Sequence, residues 1–498
     1  MKIQFSSYTS SLSDDNVNVF LVDSTISLQS YSDIDSNLLS KISTNAKTIK
    51  HFSGNIKQSF FSIIDGKKVL LIGINNNIKD AARSSEFCFY SQIGATITDC
   101  INALKEEKAA LYIPNFIKED DIASIVLGMQ LRNYSFSKYF ISKLQEHTNS
   151  FTKCEVHSNF HAAIQKRFDT HYSYLIDGVF LARDLVNEPA NTLSPEEFVS
   201  VIQKKCSSID KLTIKVLKRN EMQALKMNAL LGVAQGSSRE PQLLVMEWKG
   251  GGNEHVGLVG KGVTFDSGGI SIKPSQNMGD MKGDMGGAAT VAGTMYAIAK
   301  RNANINVVAV IPLVENMPSG TAQRPGDVVS SMSEQTIEID NTDAEGRLIL
   351  ADALWYLQEK YHNVTKIIDL ATLTGAITIA LGDVYAGLFC NSDTLAKNLI
   401  TAGYDSGELL WQLPIASEYD AQINSTIADI KNVGSGRGAG STTAAQFLYR
   451  FIKNKSYSWA HIDIAGVSMS KHPSHFATSG GTGFGVLLLD KFMQKYEL

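Results

Sequence analysis

Short apolar runs that alternate with helical stretches are the feature that most constrains the fold of this chain. In the last two-thirds of the sequence these runs have the length of single strands, and helical spacing appears between several of them. This alternation is typical of a largely parallel sheet covered by helices, in which ligand sites form beyond the carboxyl ends of the strands. The predicted strands are residues 212–217, 243–248, 256–259, 307–311, 336–339, 367–370 and 459–464.

The first third of the chain alternates in the same way. Residues 17–22, 69–74 and 109–113 are apolar runs, while residues 84–105 and 121–131 have helical spacing. This predicts a separate, smaller α/β layer domain. A chain of 498 residues is also too long for one ordinary hydrophobic core, so two domains are expected.

The boundary between these domains is predicted from the end of one helix and the start of the next. Apolar residues recur every three or four positions from 172 to 186, which predicts a connecting helix that stops before Pro189. A new helix begins at Ser194-Pro195-Glu196-Glu197, where Ser194 is a capping residue and Glu197 completes a capping box. We therefore predict an N-terminal α/β domain at 1–165, a connection at 166–190 and a larger C-terminal α/β domain with a mainly parallel central sheet at 191–498.

Composition and charge exclude several classes of protein. Hydrophobic residues make up 44% and charged residues 19% of the chain, which is the profile of a globular protein. The net charge of −4 gives no general attraction to nucleic acid or to an anionic membrane, and charges are also balanced within residues 1–165. No apolar stretch approaches the roughly 20 residues that cross a bilayer.

The compartment is predicted from the cysteines and the N-terminus. The five cysteines are scattered and never spaced as C-x-x-C, so they are interpreted as free thiols in a reducing compartment. The first residues lack the basic and apolar segments of a secretory signal. These observations predict a cytoplasmic protein.

Two glycine-rich segments carry the residues that could bind metal or take part in catalysis. The first is KGVTFDSGGISIK at 261–273, which continues to Asp284, and the second is NTDAEGRL at 341–348. Each follows a predicted strand, so polar side chains can be presented from turns at one edge of the sheet.

Each of these residues alone has an ordinary structural explanation. Asp266 could shape a turn, and Asp343 and Glu345 could lie at a helix N-terminus. Together, however, four carboxylates at one sheet edge would repel one another unless cations neutralise them. Oxygen-rich ligation without nearby His or Cys favours Mn²⁺, Mg²⁺ or Zn²⁺.

These two segments resemble the signatures of the leucine aminopeptidase family of cytosolic exopeptidases. The resemblance extends through Asn187-Glu188-Pro189, DLATLTG at 369–375 and HIDIAG at 461–466, and it covers roughly residues 180–495. It implies an enzyme that removes the N-terminal residue, with leucine and other apolar residues preferred, from peptides with a free N-terminus. It also implies a homohexamer.

The resemblance implies a role for individual residues. Lys273 and Arg347 are the implied catalytic residues that do not bind metal, and Arg347 holds a bicarbonate that serves as general base. Lys282 matches no catalytic position and is interpreted as a surface residue. The implied ligands of two metal ions, Mn²⁺ or Zn²⁺ with Mg²⁺ as a third candidate, are Lys261, Asp266, Asp284, Asp343 and Glu345. The implied pocket for the first side chain consists of Met281, Thr372, Gly375 and Ala465.

Charge balance then describes the chemistry that such a site favours. Two divalent ions and four carboxylates cancel, so a neutral Lys261 leaves the centre uncharged while Lys273 and Arg347 add positive charge beside it. This arrangement favours an anionic tetrahedral intermediate over a neutral peptide. One metal ion would also bind the substrate's free amino group, which limits cleavage to the first residue.

Two other functions remain as alternatives at this stage. A phosphoesterase is one, because two-metal sites serve both chemistries, although the lack of His ligands argues against it. The other is a DNA-binding or assembly role, since some relatives of this family bind DNA as oligomers. The balanced charge of the chain gives no support to DNA binding.

Overall fold

The computed structural model describes residues 1–31, 33–75, 85–436, 438–472, 476–477 and 479–497. By contacts within the chain it divides into two compact units. Unit 1 comprises Met1–Ile176 with His472–Thr478, and unit 2 comprises Asp177–Lys471 with Ser479–Leu498. The domain boundaries at 165 and 190 stay a prediction, and the predicted helix start at Ser84 lies outside the described residues.

Unit 1 is an α/β unit built on a six-stranded sheet. The strand order is β1-β6-β5-β2-β4-β3, and every pair is parallel except β3 with β4. The strands are β1 (Lys2–Ser6), β2 (Val17–Val22), β3 (Ser59–Ile64), β4 (Lys67–Gly73), β5 (Lys108–Tyr112) and β6 (Lys153–His157). The helices are α1 (Ser36–Lys47), α2 (Glu86–Ala103), α3 (Glu119–Arg132), α4 (Leu144–His147) and α5 (His161–Arg167).

The central strand β2 shows why this sheet needs helices on both faces. Its six residues are all buried and all but Asn18 are apolar, so the strand does not alternate between buried and exposed positions. Val19 packs in the cluster that α2 and α3 cover, whereas Phe20 packs in the cluster that α1 covers. The predicted alternation of strands and helices in the first third is confirmed.

Unit 2 contains a nine-stranded sheet and two small ones. Its principal sheet has the order β16-β15-β18-β14-β9-β11-β8-β7, with β10 paired to β11. The smaller sheets are β12-β13-β17 and β19-β20. The strands are β7 (Leu212–Leu217), β8 (Gln242–Lys249), β9 (His255–Gly260), β10 (Gly262–Asp266), β11 (Asn306–Asn316), β12 (Val328–Ser330), β13 (Thr336–Glu338), β14 (Lys366–Ala371), β15 (Ala386–Cys390), β16 (Leu410–Gln412), β17 (Ile430–Lys431), β18 (Ser458–Asp463), β19 (Met469–Ser470) and β20 (Gly480–Gly481).

Helices fill the segments between most of these strands. A π-helical segment, Phe168–Tyr172, leads into α6, and 3-10 turns lie at Met278–Gly283 and Ala421–Ile423. None of the helices in the described ranges is long and apolar enough to cross a membrane. The helices are α6 (Ser173–Asn187), α7 (Pro195–Cys206), α8 (Arg219–Ala224), α9 (Asn228–Ala234), α10 (Gly286–Lys300), α11 (Gly346–Lys360), α12 (Gly375–Leu381), α13 (Asp393–Ser406), α14 (Ser417–Asp420), α15 (Gly440–Arg450) and α16 (Val486–Gln494).

The predicted strands of unit 2 are all observed, but not all of them lie in the parallel part of one sheet. Strands β7 and β8 form an antiparallel edge, and β15 pairs antiparallel with β18. Strand β13 belongs to the three-stranded sheet. The mainly parallel α/β fold is confirmed for the centre of the sheet, where β10, β11, β9, β14 and β18 run parallel.

This parallel centre decides where a site can form. Because the five strands point the same way, the residues that follow them gather at one edge of the sheet. Lys261 follows β9, Asp266 ends β10, Thr372 follows β14 and Asp463 ends β18. Residues from three distant parts of the sequence are thereby brought to one place.

The predicted start of α7 is also observed. The Ser194 hydroxyl accepts the backbone N–H of Glu197 at 3.2 Å, and Pro195 is the first helical residue. The preceding helix ends at Asn187, before Pro189, as predicted. The five cysteines are free thiols, as expected from their spacing.

Ser194→Ala should destabilise the protein by about 1 kcal/mol, because it leaves an N–H of the first turn of α7 without an acceptor. The melting temperature measured by differential scanning fluorimetry reports this loss. Ser200→Ala, on the exposed face of the same helix, is the matched control. Equal melting temperatures for the two variants would contradict the assignment of Ser194 as the cap.

Candidate metal centre

A cluster of carboxylates lies at the carboxyl edge of the parallel strands. Asp266, Asp343 and Glu345 each offer an oxygen, and these three atoms lie within 4.8 Å of one another. Asp266 and Glu345 are buried, and Asp343 keeps 31% of its side-chain surface exposed. The structure therefore brings together three of the four carboxylates that the sequence predicted as ligands.

Lys261 connects the fourth carboxylate to this cluster. Its Nζ lies 2.8 Å from Oδ1 of Asp284 and 2.9 Å from Oε1 of Glu345, and it also donates to the carbonyl of Thr372 at 2.9 Å. A Cβ at Gly346 would lie 2.6 Å from Cε of Lys261, so a glycine is needed there for the lysine to reach its partners.

Lys273 bridges the other side of the cluster. Its Nζ lies 2.8 Å from Oδ2 of Asp266 and 2.5 Å from Oδ1 of Asp343. The two lysines thus pair with all four carboxylates. Both are held by acidic partners and not by solvent, unlike an ordinary surface lysine.

Hydrogen bonds join the two glycine-rich loops directly. The Thr342 hydroxyl donates to the carbonyl of Gly268 at 2.6 Å and accepts the N–H of Ser271 at 2.8 Å. The N–H of Thr342 in turn donates to the Ser271 hydroxyl. These bonds fix the loop that carries Asp266 against the loop that carries Asp343.

Asn316, which the sequence analysis did not identify, holds Asp266 in place. Its Nδ2 donates to Oδ1 of Asp266 at 2.8 Å and to the carbonyl of Thr342 at 3.1 Å. The backbone N–H of Gly268 is a second donor to the same carboxylate oxygen. A polar residue at the end of the apolar run 307–313 is the signal that could have identified Asn316.

Burial makes it unfavourable for the carboxyl groups of this cluster to be ionised together. Desolvation, with the nearby charge of Asp266, raises the pKa of Glu345 to about 8 and that of Asp284 to about 6. Burial alone would lower the pKa of Lys261, but Asp284 and Glu345 outweigh it and raise that pKa above its usual range. Ionised carboxylates are therefore unfavourable here unless more positive charge is supplied.

The donor set fits divalent cations. Among the described residues, Oδ2 of Asp284 is a buried carboxylate oxygen that has no hydrogen-bond partner. The charges of Asp284 and Asp266 both oppose the ionisation of Glu345. Hard divalent ions prefer such oxygen ligands and would remove this repulsion.

Arg347 lies beneath the cluster and is buried. Its Nη1 donates to the carbonyl of Asn432 at 2.7 Å, and burial lowers its pKa to about 10 against the opposing charges of Glu345 and Asp463. It does not line the cavity, among the residues that the structure describes there. Its charge interacts with those of Glu345 and Asp463.

Asn432 is a second residue that the sequence analysis did not identify. Its side-chain oxygen accepts the N–H of Asp340 at 2.8 Å, and its Nδ2 donates to the carbonyl of Asn341 at 2.7 Å. Asn432 thus holds both Arg347 and the loop before Asp343. A single Asn in the stretch after β17 gives no sequence signal for this role.

The cluster opens into a cavity of about 770 Å³. The four residues predicted to contact the first side chain of a substrate all line it, and so does Ser468. An added Cβ at Gly375 would meet no atom within 4 Å, so its small size leaves open space and does not serve packing. The predicted lining residues are Met281, Thr372, Gly375 and Ala465.

Asp463 holds two walls of this cavity together. It accepts the N–H of Leu373 at 3.1 Å, the hydroxyl of Thr374 at 2.6 Å and the N–H of Ala465 at 3.2 Å. It is fully buried, and burial raises its pKa against the opposing charge of His461. The strand β18 therefore sets the position of both lining loops.

A buried ion pair joins β18 to the neighbouring strand β14. His461 Nδ1 lies 2.5 Å from Oδ1 of Asp369, and Trp459 Nε1 donates to Oδ2 of Asp369 at 2.8 Å. All three side chains are inaccessible to solvent. The motifs at 369–375 and 461–466 are thus joined through their first residues.

The interpretation of Lys282 as a surface residue is wrong. Its side chain is half-buried, and its Nζ donates to the carbonyl of Asn187 at 2.6 Å. Lys282 also lines the cavity. The 3-10 turn at Met278–Gly283 turns this side chain inward, which residue spacing alone does not predict.

Comparisons with known proteins agree with this fold. Centres with two metal ions occur in phosphatases, nucleases and aminopeptidases, and the carboxyl edge of a parallel sheet is where such sites form. The model of the cytosol aminopeptidase family, catalytic domain, matches residues 180–489. This chain belongs to the cytosol aminopeptidase family, whose members are peptidases.

Individual relatives support the same assignment. A probable cytosol aminopeptidase of Sinorhizobium fredii is 52% identical over 75% of each chain, and one of Brucella melitensis is 48% identical over 86% of this chain and 87% of its own. A solved mutant of tomato leucine aminopeptidase has a TM-score of 0.85 at 29% identity, covering 99% of this chain and 97% of its own. The bottromycin maturation enzyme BotP in complex with Mn has a TM-score of 0.83 at 28% identity, covering 98% and 100%.

Asp369→Asn should lower the free energy of unfolding by about 3 kcal/mol, because it leaves the buried His461 without its charged partner. The midpoint of urea denaturation measures this change. Asp393→Asn, at an exposed position in the first turn of α13, is the control. A midpoint no lower than that of the control would show that the pair does not support β18.

Proposed function

We propose that this protein hydrolyses the N-terminal residue from peptides, with leucine and other apolar residues preferred, and that it uses two divalent metal ions. The observation that carries this proposal is the buried carboxylate cluster, in which two lysines supply the positive charge. Membership of the cytosol aminopeptidase family supports the reaction, and the Mn complex of BotP supports the use of metal.

The proposed metal ligands are the residues predicted from the sequence. When bound, the ions would lower the pKa of a water molecule and polarise the scissile carbonyl. Mn²⁺ or Zn²⁺ is favoured, with Mg²⁺ as a third candidate, because most of the donors are carboxylate oxygens. The proposed ligands are Lys261, Asp266, Asp284, Asp343 and Glu345.

Lys273 is proposed to stabilise negative charge on the reacting peptide. Its Nζ lies at the edge of the cluster that lines the cavity, between Asp266 and Asp343, with 20% of the side chain exposed. A cation in this position interacts more strongly with an anionic intermediate than with a neutral peptide. It therefore favours the transition state over the bound substrate.

Arg347 is proposed to hold a bicarbonate, which would supply a general base. The guanidinium is too basic to accept a proton at neutral pH. Its buried Nε has no hydrogen-bond partner among the described residues, so it retains a donor for an anion. Asn432 fixes the other end of the guanidinium through its carbonyl.

The first side chain of the peptide is proposed to enter the part of the cavity that the loops after β14 and β18 form. Thr372, Gly375 and Ala465 line that part, together with Met281. Gly375 leaves open space, while Met281 offers an adaptable apolar surface. Ser468 makes one wall more polar, which argues against strict selectivity for leucine.

A homohexamer and a cytoplasmic location are further proposals. The relatives are called cytosol aminopeptidases, and the free thiols of this chain suit a reducing compartment. The net charge of −4 favours peptide over nucleic acid as the partner.

Glu345→Gln should lose nearly all turnover of leucine p-nitroanilide and bind less Mn²⁺ in isothermal titration, because it removes a charge at the centre of the cluster. Glu334→Gln, at a residue with 77% exposure, controls for general effects of the substitution. Activity within about tenfold of wild type at saturating Mn²⁺ would defeat the assignment.

Lys273→Ala should keep its metal and lose roughly 10²–10³-fold in kcat, as for other groups that stabilise a developing oxyanion. Metal content by mass spectrometry and steady-state kinetics measure the two effects separately. Empty metal sites in this variant would instead place Lys273 among the ligands.

Acetyl-leucine p-nitroanilide should not be cleaved by wild-type enzyme, because acetylation removes the amino group that the exopeptidase reaction requires. Leucine p-nitroanilide is the positive control, and p-nitrophenyl phosphate tests the phosphoesterase alternative. Cleavage of the acetylated compound would contradict an exopeptidase, and turnover of the phosphate ester alone would favour the alternative.

A further inference from the structure

The lysines that line the cavity differ in their partners. Lys261 and Lys273 pair with the carboxylate cluster, and Lys471 Nζ lies 3.4 Å from Oδ2 of Asp280. Among the cavity-lining residues that the structure describes, Lys282 is the lysine with no carboxylate oxygen within 4.0 Å. Its partner is a neutral backbone carbonyl, so its positive charge is not compensated there.

The position of this charge is fixed by its surroundings. The carbonyl that accepts from Lys282 belongs to Asn187, whose Oδ1 accepts the N–H of Gly481 at 2.9 Å. A Cβ at Gly480, which has a φ of +100°, would lie 2.3 Å from that oxygen, so only glycine permits this contact. The ammonium group therefore donates to the backbone of a residue whose own side chain is fixed in the cavity wall.

A half-buried ammonium group in a cavity favours an anion in the space beside it. The backbone of a peptide substrate carries one anion, the terminal carboxylate, and an acidic side chain carries the same kind of group. Lys282 and the carboxylate cluster line the same cavity, so an anion at Lys282 would share that cavity with a peptide bond at the cluster.

We propose that Lys282 binds a carboxylate of the substrate and thereby makes dipeptides and tripeptides with a free C-terminus preferred. The cavity of about 770 Å³ can enclose a peptide of this size. This inference rests on the proposed aminopeptidase function, whose substrates enter the same cavity. A charged hydrogen bond at a half-buried site gives an expected preference of about tenfold.

The test compares leucylglycine with leucylglycinamide, which differ only in the terminal charge. Wild-type enzyme should hydrolyse leucylglycine with about tenfold higher kcat/KM, mainly through a lower KM. Lys282→Met should reduce this ratio to near one, and Lys282→Arg should restore part of it. Lys471→Met is the matched control, because Lys471 lines the same cavity but is paired with Asp280 and 70% exposed.

Two further measurements separate the outcomes. The α-amide of leucylglutamic acid has no terminal carboxylate but keeps the carboxylate of its side chain. Its rate of hydrolysis shows whether an acidic second residue can replace the terminal carboxylate. If Lys282→Met does not fold by circular dichroism, Lys282→Gln takes its place. An equal rate for leucylglycine and its amide in wild type, or a ratio unchanged in the Lys282 variants, would overturn the inference. No hydrolysis of leucine p-nitroanilide by wild type would instead refute the proposed function itself.

Discussion

The gathering of four carboxyl groups, three of them buried, beside two lysines at the end of a parallel sheet is the interaction on which the rest of unit 2 depends. Like charges at this distance in a desolvated site are unfavourable, and the raised pKa values of Glu345 and Asp284 express that cost. Lys261 and Lys273 offset only part of it. The site is therefore arranged for additional cations, and this requirement links the fold to metal-dependent chemistry.

The surrounding hydrogen bonds keep these groups together despite their repulsion. Asn316 joins the two glycine-rich loops, Asn432 binds the segment from Asp340 to Arg347, and Asp463 ties both lining loops to β18. Asn316 holds the Asp266 carboxylate directly and the other two residues fix the loops around the cluster, which orients the ligands before a metal ion binds. The parallel centre of the sheet provides the common edge that makes these contacts geometrically accessible.

Sequence patterns predict the chemistry of the site better than its support. The glycine-rich loops and the carboxylates are close in sequence, so Asp266 and Glu345 can be recognised from their motifs. Asn432 acts on a loop about 90 residues earlier, and such a contact leaves no local pattern. Lys282 was misinterpreted because its inward direction depends on a 3-10 turn. The antiparallel edge formed by β7 and β8 was likewise missed, since periodicity does not give strand direction.

The most direct test of the metal centre is a crystal structure of the protein grown with Mn²⁺ and measured at a wavelength where manganese scatters anomalously. The account predicts two anomalous peaks among the four carboxylates, with Lys261 turned from its ion pairs to become a ligand and Lys273 left outside the ligand set. A single peak, or none, with Lys261 still paired to Asp284 and Glu345 at full Mn²⁺ loading, would contradict it.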